Sequence, residues 1–241
     1  MPEPVLAAKN FSAGYDRALF SPADLSLEPG RLVSLVGPNG TGKSTILRCL
    51  AGLLEPRTGT VFLDGKPLEK WDARLRAQRV ASVFTRERVP FGMSVREFVS
   101  LGRIPYSRFF DGRSRGDESA IDDAISLVRM ESFATRDVSA LSDGERSRVF
   151  LARAIAQEPE ALLLDEPTAY LDVPNILNLF RLLKKMAAER RLAVLLSTHH
   201  LHYAMKFSDG IVALDGKGRV KEDFPSGFSG TDFLEWADET I

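Results

Sequence analysis

The feature that most constrains the fold is a glycine-rich segment that follows a short run of apolar or small residues. Val33–Val36 has the character of a buried strand, the next nine residues read Gly-Pro-Asn-Gly-Thr-Gly-Lys-Ser-Thr, and Ile46–Leu50 is typical of a helix start. A phosphate-binding loop (P-loop) of the G-x-x-x-x-G-K-S type requires this order of strand, turn and helix. The flanking strand and helix disfavour the alternative, a glycine-rich turn without a ligand. The chain is therefore predicted to bind a nucleoside triphosphate.

The residues of this loop have separate expected roles. Its glycines let successive backbone N–H groups point at phosphate oxygens, and the helix N-terminus adds a partial positive charge. We expect the Lys43 ammonium at the β- and γ-phosphates and the Ser44 hydroxyl on Mg²⁺. The predicted nucleotide-binding residues of the loop are Gly37, Pro38, Asn39, Gly40, Thr41, Gly42, Lys43, Ser44 and Thr45.

Length, charge and cysteine content limit the class of protein. The 241 residues suit one large domain, or one domain with a small insert, and the net charge of −1 provides no basic field for nucleic acid. The single cysteine, Cys49, suits a reducing cytosol. The sequence has no apolar run of the ~18–20 residues that a membrane span needs, and Met1–Pro4 lacks the features of a signal peptide. We expect a cytosolic protein that a partner can hold at a membrane.

The strand pattern predicts an α/β fold with a small antiparallel sheet beside the nucleotide-binding core. Val5–Ala8 is a candidate edge strand, Phe11–Tyr15 leads into a loop, and Asp64-Gly65 is a hairpin signal. The other predicted strands are Asp24–Leu27, Arg31–Val36, Thr60–Leu63, Val80–Phe84, Ala161–Leu164, Ala193–Ser197, Ile211–Leu214 and Arg219-Val220.

Between these strands the sequence becomes helical. Ser94–Glu97 is a capping box that opens a helix ending near Gly102, and Asp117–Met130 has amphipathic spacing. We also predict helices from Leu141–Glu145 through about Gln157 and over Pro174–Arg190, a loop with exposed aromatics at Phe109–Gly112, and a short helix at Thr231–Trp236.

The predicted organisation is a single domain over residues 1–241. Its nucleotide-binding core, with the β subdomain, comprises about residues 1–85 and 158–241. Its helical subdomain comprises about residues 86–157, including the helix that Leu141–Glu145 opens.

Two carboxylates follow a buried strand. Asp165 and Glu166 end the run Ala161–Leu164, which places them at the carboxyl end of a central strand beside the P-loop. We expect Asp165 to hold Mg²⁺ and Glu166 to orient and polarise the attacking water. The alternative is an acidic pair that faces solvent. His199 follows the next buried strand and would overlook the γ-phosphate, although a lone histidine is more often structural. His200 and His202 are expected to be surface or helix residues.

Two further residues have both a structural and a functional interpretation. Ser142 and Glu145 form a capping box, while Ser142 and the Gly144 N–H can also face a γ-phosphate from a helix N-terminus. Tyr15 can stack on adenine, because an aromatic face suits a base, or it can be a half-exposed loop residue.

Five ordered segments resemble the ATP-binding cassette (ABC) ATPases over roughly residues 5–220. Besides the P-loop they are Leu141–Arg146, Leu162–Thr168, Ala169–Asp172 and Ser197–His199. Finer features are similar to the ATPases of importers for iron-siderophore, haem or cobalamin: Ser94–Glu97, Leu101–Tyr106 and Leu171–Pro174. The resemblance implies a P-loop NTPase (RecA-like) core with an antiparallel β subdomain and a helical insert.

The resemblance also implies an assembly. Two copies would form a head-to-tail dimer with two ATP molecules between them, each P-loop facing Ser142 and Gly144 of its partner, and Asp172 would lie in a loop that links the two sites. The expected partners are integral-membrane permease subunits and, indirectly, an extracytoplasmic substrate-binding protein. The protein would then be peripheral on the cytoplasmic face of the cell membrane, with no nucleic-acid partner. ATP would close the dimer and hydrolysis would reopen it.

Four positions depart from the family pattern. Thr85 stands where a glutamine that touches Mg²⁺ is usual, so we expect either a bridging water or substitution by Glu87. Asp143 and Glu145 replace glycine and glutamine, and they should weaken ATP sandwiching unless they point away, towards Arg146 or Arg148. His200 stands where the family usually has an acid, directly after the histidine at position 199.

Other functions remain open at this point. One is an ABC ATPase that acts in DNA maintenance or on ribosomes, although the roughly 97 residues between Ser44 and Ser142 are too few for a long coiled-coil arm. Another is an ATP-gated scaffold of low turnover, suggested by Thr85 and Asp143 but opposed by Glu166. An exporter ATPase is also compatible, since the permease sets the direction.

Overall fold

Two β-sheets and a group of helices make up the part of the chain that the computed structural model describes, residues 3–85, 91–107, 114–169 and 171–228. The strands are β1 (Leu6–Ser12), β2 (Ala23–Leu27), β3 (Leu32–Val36), β4 (Thr58–Leu63), β5 (Lys66–Pro67), β6 (Val80–Val83), β7 (Ala161–Leu164), β8 (Ala193–Ser197), β9 (Gly210–Leu214) and β10 (Val220–Asp223). The α-helices are α1 (Lys43–Leu50), α2 (Ala73–Arg79), α3 (Val95–Ser100), α4 (Arg115–Leu127), α5 (Asp143–Ala156), α6 (Val173–Arg190) and α7 (Leu201–Phe207). The predicted α/β class is confirmed.

The larger sheet positions the site. Its strand order is β10-β9-β3-β8-β7-β6, and all pairs are parallel except β10 with β9. Strands β3, β7, β8 and β9 are buried at every position, as expected for parallel strands covered on both faces. The carboxyl ends of β3, β6, β7 and β8 therefore meet at one edge, where the P-loop begins.

Alternate residues of the central strands face two separate cores. Leu162 and Leu164 of β7 contact the cluster built by helices α3 to α6, which includes Phe98 and Phe180. Leu163 instead faces the cluster formed with α1 and the smaller sheet, which includes Phe11. This alternation follows from the two-residue period of a strand. The sheet thus separates the helical part from the smaller sheet.

The smaller sheet is antiparallel, with strand order β2-β1-β4-β5. Asp64 and Gly65 join β4 to β5 at φ values of 48° and 71°, the conformation that a two-residue hairpin turn requires. The edge-strand prediction for Val5–Ala8 was wrong, because β1 lies between β2 and β4. The strand also includes Phe11 and Ser12, which we expected to lead into a loop. A register shift between Ala8 and Phe11 allows the strand to continue and buries Phe11 completely.

The helices follow their capping signals, with local differences. Ser94 forms the predicted capping box with Glu97, but α3 ends at Ser100 and a 3₁₀ segment, Leu101–Tyr106, follows it. Helices α2 and α7 were not predicted. Asp72 caps α2 by accepting hydrogen bonds from two backbone N–H groups, yet α2 buries no residue and so has no apolar periodicity to detect. Helix α7 has only seven residues.

Some predictions lie outside the described residues: the loop at Phe109–Gly112, the helix at Thr231–Trp236, and the substitution by Glu87. Within the described ranges, none of the helices has the length and apolar character needed to cross a bilayer.

Candidate functional site

The loop between β3 and α1 has the backbone conformation of a phosphate cradle. Gly40 and Gly42 have φ values of 81° and 103°, in the left-handed region that glycine adopts without a steric cost. A Cβ atom on Gly42 would also lie 2.8 Å from Cδ1 of Leu19. The Thr41 hydroxyl donates a hydrogen bond to the Pro38 carbonyl at 2.9 Å, which closes the loop. Helix α1 begins immediately afterwards, at Lys43.

Lys43 carries a nearly buried cation at this loop. Its side chain is 7% exposed, and Nζ donates hydrogen bonds to the carbonyl oxygens of Gly37 at 2.8 Å and Pro38 at 3.1 Å. Oε1 of Glu166 lies 3.8 Å from the same nitrogen. Burial lowers the pKa of Lys43, and the charges of Glu166 and Asp165 oppose that shift. The ammonium is therefore positioned to attract an anionic group at the mouth of the loop.

Asp165 is the most heavily hydrogen-bonded group of the site. Its Oδ1 atom accepts hydrogen bonds from the hydroxyls of Ser44 at 2.9 Å and Ser197 at 2.8 Å. The Thr85 hydroxyl reaches Oδ2 at 3.2 Å and the Asp165 carbonyl at 2.9 Å. A carboxylate that is only 6% exposed requires such partners to offset its loss of hydration. These contacts join α1 to the carboxyl ends of β6, β7 and β8.

Glu166 is held in an uncommon backbone conformation. Its φ of 47° is left-handed, which costs a residue with a side chain about 1–2 kcal/mol. Its backbone N–H donates a hydrogen bond to Oγ of Ser197 at 2.8 Å. Its carboxylate lies between Lys43 and His199, whose Nδ1 is 2.9 Å from Oε2. The backbone thus aims this carboxylate at the P-loop.

The donor set suits a hard divalent cation. Ser44 and Asp165 place a hydroxyl and a carboxylate oxygen side by side, and Mg²⁺ is commonly held by one or two protein oxygens together with substrate phosphates and water. In the described part of the chain, no group of three or more His, Cys, Asp or Glu side chains is arranged to hold a metal alone. The Ser44 and Asp165 oxygens therefore fit Mg²⁺ as part of a site that phosphates and water would complete.

Tyr15 and Ser142 contact residues other than the cluster at the P-loop. The predicted residues that the structure brings together in that cluster are Lys43, Ser44, Asp165, Glu166 and His199. Tyr15 is 56% exposed, and its hydroxyl accepts a hydrogen bond at 2.7 Å from Nη1 of Arg48 on α1. Its ring therefore lies beside the helix that follows the P-loop.

Ser142 and Gly144 lie at the amino end of α5. Both Ser142 N and Ser142 Oγ donate hydrogen bonds to Oε2 of Glu145, at 2.8 Å and 2.7 Å, which completes the capping box. These bonds lower the pKa of Glu145. The Asp143 side chain points away from Ser142, and its Oδ1 lies 3.3 Å from Nη1 of Arg146. The hydroxyl proton of Ser142 is thus engaged by a carboxylate of its own helix.

Two residues outside our predicted site have central roles in the geometry. Ser197 links Asp165 to the backbone of Glu166, and the Thr85 hydroxyl bonds to Oδ2 and to the main-chain carbonyl of Asp165. Their signal in the sequence was their place at or just after the carboxyl ends of the strands on either side of β7, because parallel strands end at a common edge. The water bridge expected between Thr85 and Mg²⁺ stays a prediction. His200 occupies the position before α7, where its side chain makes no capping hydrogen bond, and burial lowers its pKa.

These features define a P-loop nucleoside triphosphatase. They are a P-loop with a buried lysine, a carboxylate that accepts a hydrogen bond from the P-loop serine, and a second carboxylate beside the lysine. The family model of the ABC transporters matches residues 20–169. The chain belongs to the ABC transporter family, and it is an ATP-binding, ATP-hydrolysing cassette of that family.

Known relatives confirm the resemblance found in the sequence. The chain is 36% identical over 218 residues to the iron(3+)-hydroxamate import ATP-binding protein FhuC of Bacillus subtilis. The aligned region covers 90% of this chain and 81% of FhuC. It is 40% identical to the hemin import ATP-binding protein HmuV of Rhodococcus jostii, over 87% of this chain and 70% of HmuV. The dimeric structure of the bacterial ABC transporter cassette MJ0796 superposes with a TM-score of 0.80 at 29% identity, covering 91% of this chain and 98% of that one.

The hydrogen bonds of Ser197 generate the first prediction. Ser197→Ala leaves the Glu166 N–H without its partner and removes a donor from Asp165, so the free energy of unfolding should fall by about 1–3 kcal/mol. Urea denaturation measures the change. Ser82→Ala, in strand β6 of the same sheet, is the matched control and should stay within about 0.5 kcal/mol of wild type. Equal stability of the two variants would contradict a role of Ser197 in holding the site.

Proposed function

We propose that the chain powers an importer whose cargo is an iron chelate, haem or a cobalamin-type cofactor. The observation that carries this proposal is the similarity, over nearly the whole chain, to proteins named for iron-hydroxamate import and hemin import. The importer-like segments Ser94–Glu97, Leu101–Tyr106 and Leu171–Pro174 agree with it. The relatives' names favour this function over the soluble ABC ATPase, the low-turnover scaffold and the exporter.

The P-loop would bind the phosphates of ATP. Backbone N–H groups of residues 39–45 would surround the β-phosphate, and the Lys43 ammonium would leave the Gly37 and Pro38 carbonyls for the β- and γ-phosphates. Ser44 and Asp165 would hold Mg²⁺, which neutralises charge on the phosphates during phosphoryl transfer. Tyr15 would stack on adenine, with its ring fixed by the hydrogen bond from Arg48.

Glu166 and His199 would carry out the proton chemistry of hydrolysis. Water attacks the γ-phosphorus, the bond to the β-phosphate oxygen breaks, and the proton of the water passes to the Glu166 carboxylate. His199 would hold that carboxylate through its Nδ1–H and keep its other ring nitrogen for the γ-phosphate. Glu166 would thus be the general base and His199 its partner.

A second copy would complete the site. Ser142 and Gly144 of that copy would face the γ-phosphate across a head-to-tail dimer, an assembly supported by the dimeric structure of MJ0796. Their position at the N-terminus of α5, outside the P-loop cluster of their own chain, agrees with a role in trans. Asp172, which caps α6, would lie in the loop that links the two ATP sites.

The remaining partners follow from the importer function. Permease subunits in the membrane would contact the helical subdomain, about residues 86–157, and receive its motion relative to the core of about residues 1–85 and 158–241. An extracytoplasmic substrate-binding protein would deliver cargo to the permease. The chain would lie on the cytoplasmic face of the membrane without entering it.

Glu166→Gln tests the proposed base. Hydrolysis should fall at least about 100-fold, because loss of a general base typically costs 10²–10⁴, while ATP binding persists. ATP should then trap a dimer visible by size exclusion. Lys43→Ala is the comparison variant and should lose ATP binding, measured by calorimetry; Glu55→Gln, at an exposed position, should resemble wild type. A Glu166→Gln protein that hydrolyses ATP normally, or stays monomeric with ATP, would contradict the proposal.

The capping contact of Ser142 predicts that Glu145 limits dimer closure. Glu145→Gln frees the Ser142 hydroxyl from a carboxylate and removes a charge near the γ-phosphate, so dimerisation of the Glu166→Gln protein should need about tenfold less ATP, about 1.4 kcal/mol. Light scattering against ATP concentration measures the midpoint. Asp143→Asn removes the same charge from the same helical turn without touching Ser142, and it should shift the midpoint less. Equal shifts of the midpoint in the two variants would contradict a role of the Ser142 contact, because loss of charge alone would then explain both.

A further inference from the structure

A large cleft lies away from the P-loop, between α6 on one side and α4 and α5 on the other. Its volume is about 870 Å³, within the size range of ligand-binding pockets. Half-buried leucines form much of its apolar wall: Leu127 of α4, Leu171 before α6, and Leu179 and Leu182 of α6. Apolar side chains at an open cleft indicate a surface that gains from being covered.

The rim of this cleft is strongly basic. Among the described residues that line it, the cations are Arg129, Arg148, Arg181, Lys185 and Arg190, against the carboxylates of Asp123 and Glu189. Lys185 lies 4.0 Å from Glu189, and its side chain is still 68% exposed. The cleft therefore carries an excess of positive charge in a chain whose net charge is −1. Its chemistry fits an occupant with apolar side chains and several carboxylates.

The last thirteen residues of the sequence have this composition. Residues 229–241 contain no Lys or Arg, and their acidic residues are Asp232, Glu235, Asp238 and Glu239. Their large apolar residues are Phe233, Leu234, Trp236 and Ile241. Charge and hydropathy of this segment are complementary to those of the cleft.

The described chain ends close enough for this segment to reach the cleft. The 3₁₀ segment Pro225–Phe228 contacts α7, and α7 packs on α6 through Phe207, whose ring lies 5.7 Å from that of Phe180. The cleft is on the flank of α6 that carries Leu179 and Leu182. Thirteen residues span about 20 Å as a helix and about 43 Å when extended. The distance around a helix of about 10–12 Å diameter is within that range.

We propose that residues 229–241 dock, in the same chain, into the cleft between α4, α5 and α6. The aromatic and aliphatic side chains cover the leucines, and the carboxylates pair with the basic rim. This docking bridges α5 and α6, independently of nucleotide.

Fluorescence of Trp236 tests the docking. A Trp71→Phe background leaves Trp236 as the single tryptophan, and acrylamide quenching measures its exposure. Arg181→Glu/Lys185→Glu should raise the quenching constant several-fold, to that of a free peptide of residues 229–241. Lys70→Glu/Arg115→Glu, which reverses two charges at other exposed positions, should leave it low. Hydrogen exchange provides the same comparison in the chain that keeps Trp71. The exchange rates of residues 229–241 are measured with and without the two cleft substitutions.

Three results would overturn the proposal. The first is a Trp236 that is quenched as fast as the free peptide before any cleft substitution. The second is protection that survives the cleft substitutions, which would place the tail on another surface. The third is protection that disappears on dilution, which would make the occupant the tail of a second copy.

Discussion

The site depends on one shared carboxylate, Asp165, and the hydroxyls that converge on it. Ser44 from the P-loop helix and Ser197 from β8 donate to the same oxygen, and Thr85 from the end of β6 reaches the other. A buried carboxylate without such donors would be costly, so each element that supplies a hydroxyl is fixed relative to the others. The parallel sheet makes this convergence possible, because its strands end at one edge.

Glu166 shows how the same contacts position the proposed base. Its left-handed backbone is unfavourable by itself, and it persists because Ser197 accepts its N–H while Lys43 and His199 hold its carboxylate. Ser197 therefore serves both acidic residues at once. Strain in the backbone is balanced by contacts that direct the side chain towards the P-loop.

Much of this arrangement was predictable from the sequence, since the P-loop and the buried runs before Asp165 and His199 are local patterns. The Ser197 and Thr85 contacts were not, because they depend on which strands become neighbours. Helix α2 was missed since it buries no residue, and β1 was shortened because a bulge interrupts its alternation. The capping box at Ser142 was predictable, but only the structure gives the direction of the Asp143 side chain.

A structure of the Glu166→Gln protein with ATP and Mg²⁺ would show whether the P-loop cluster of one copy and Ser142 of another hold one ATP molecule. We expect the phosphates within the loop of residues 37–45, the metal between Ser44 and Asp165, and the partner's Ser142 at the γ-phosphate. Nucleotide bound elsewhere, or a γ-phosphate with no contact to a second copy, would contradict this expectation.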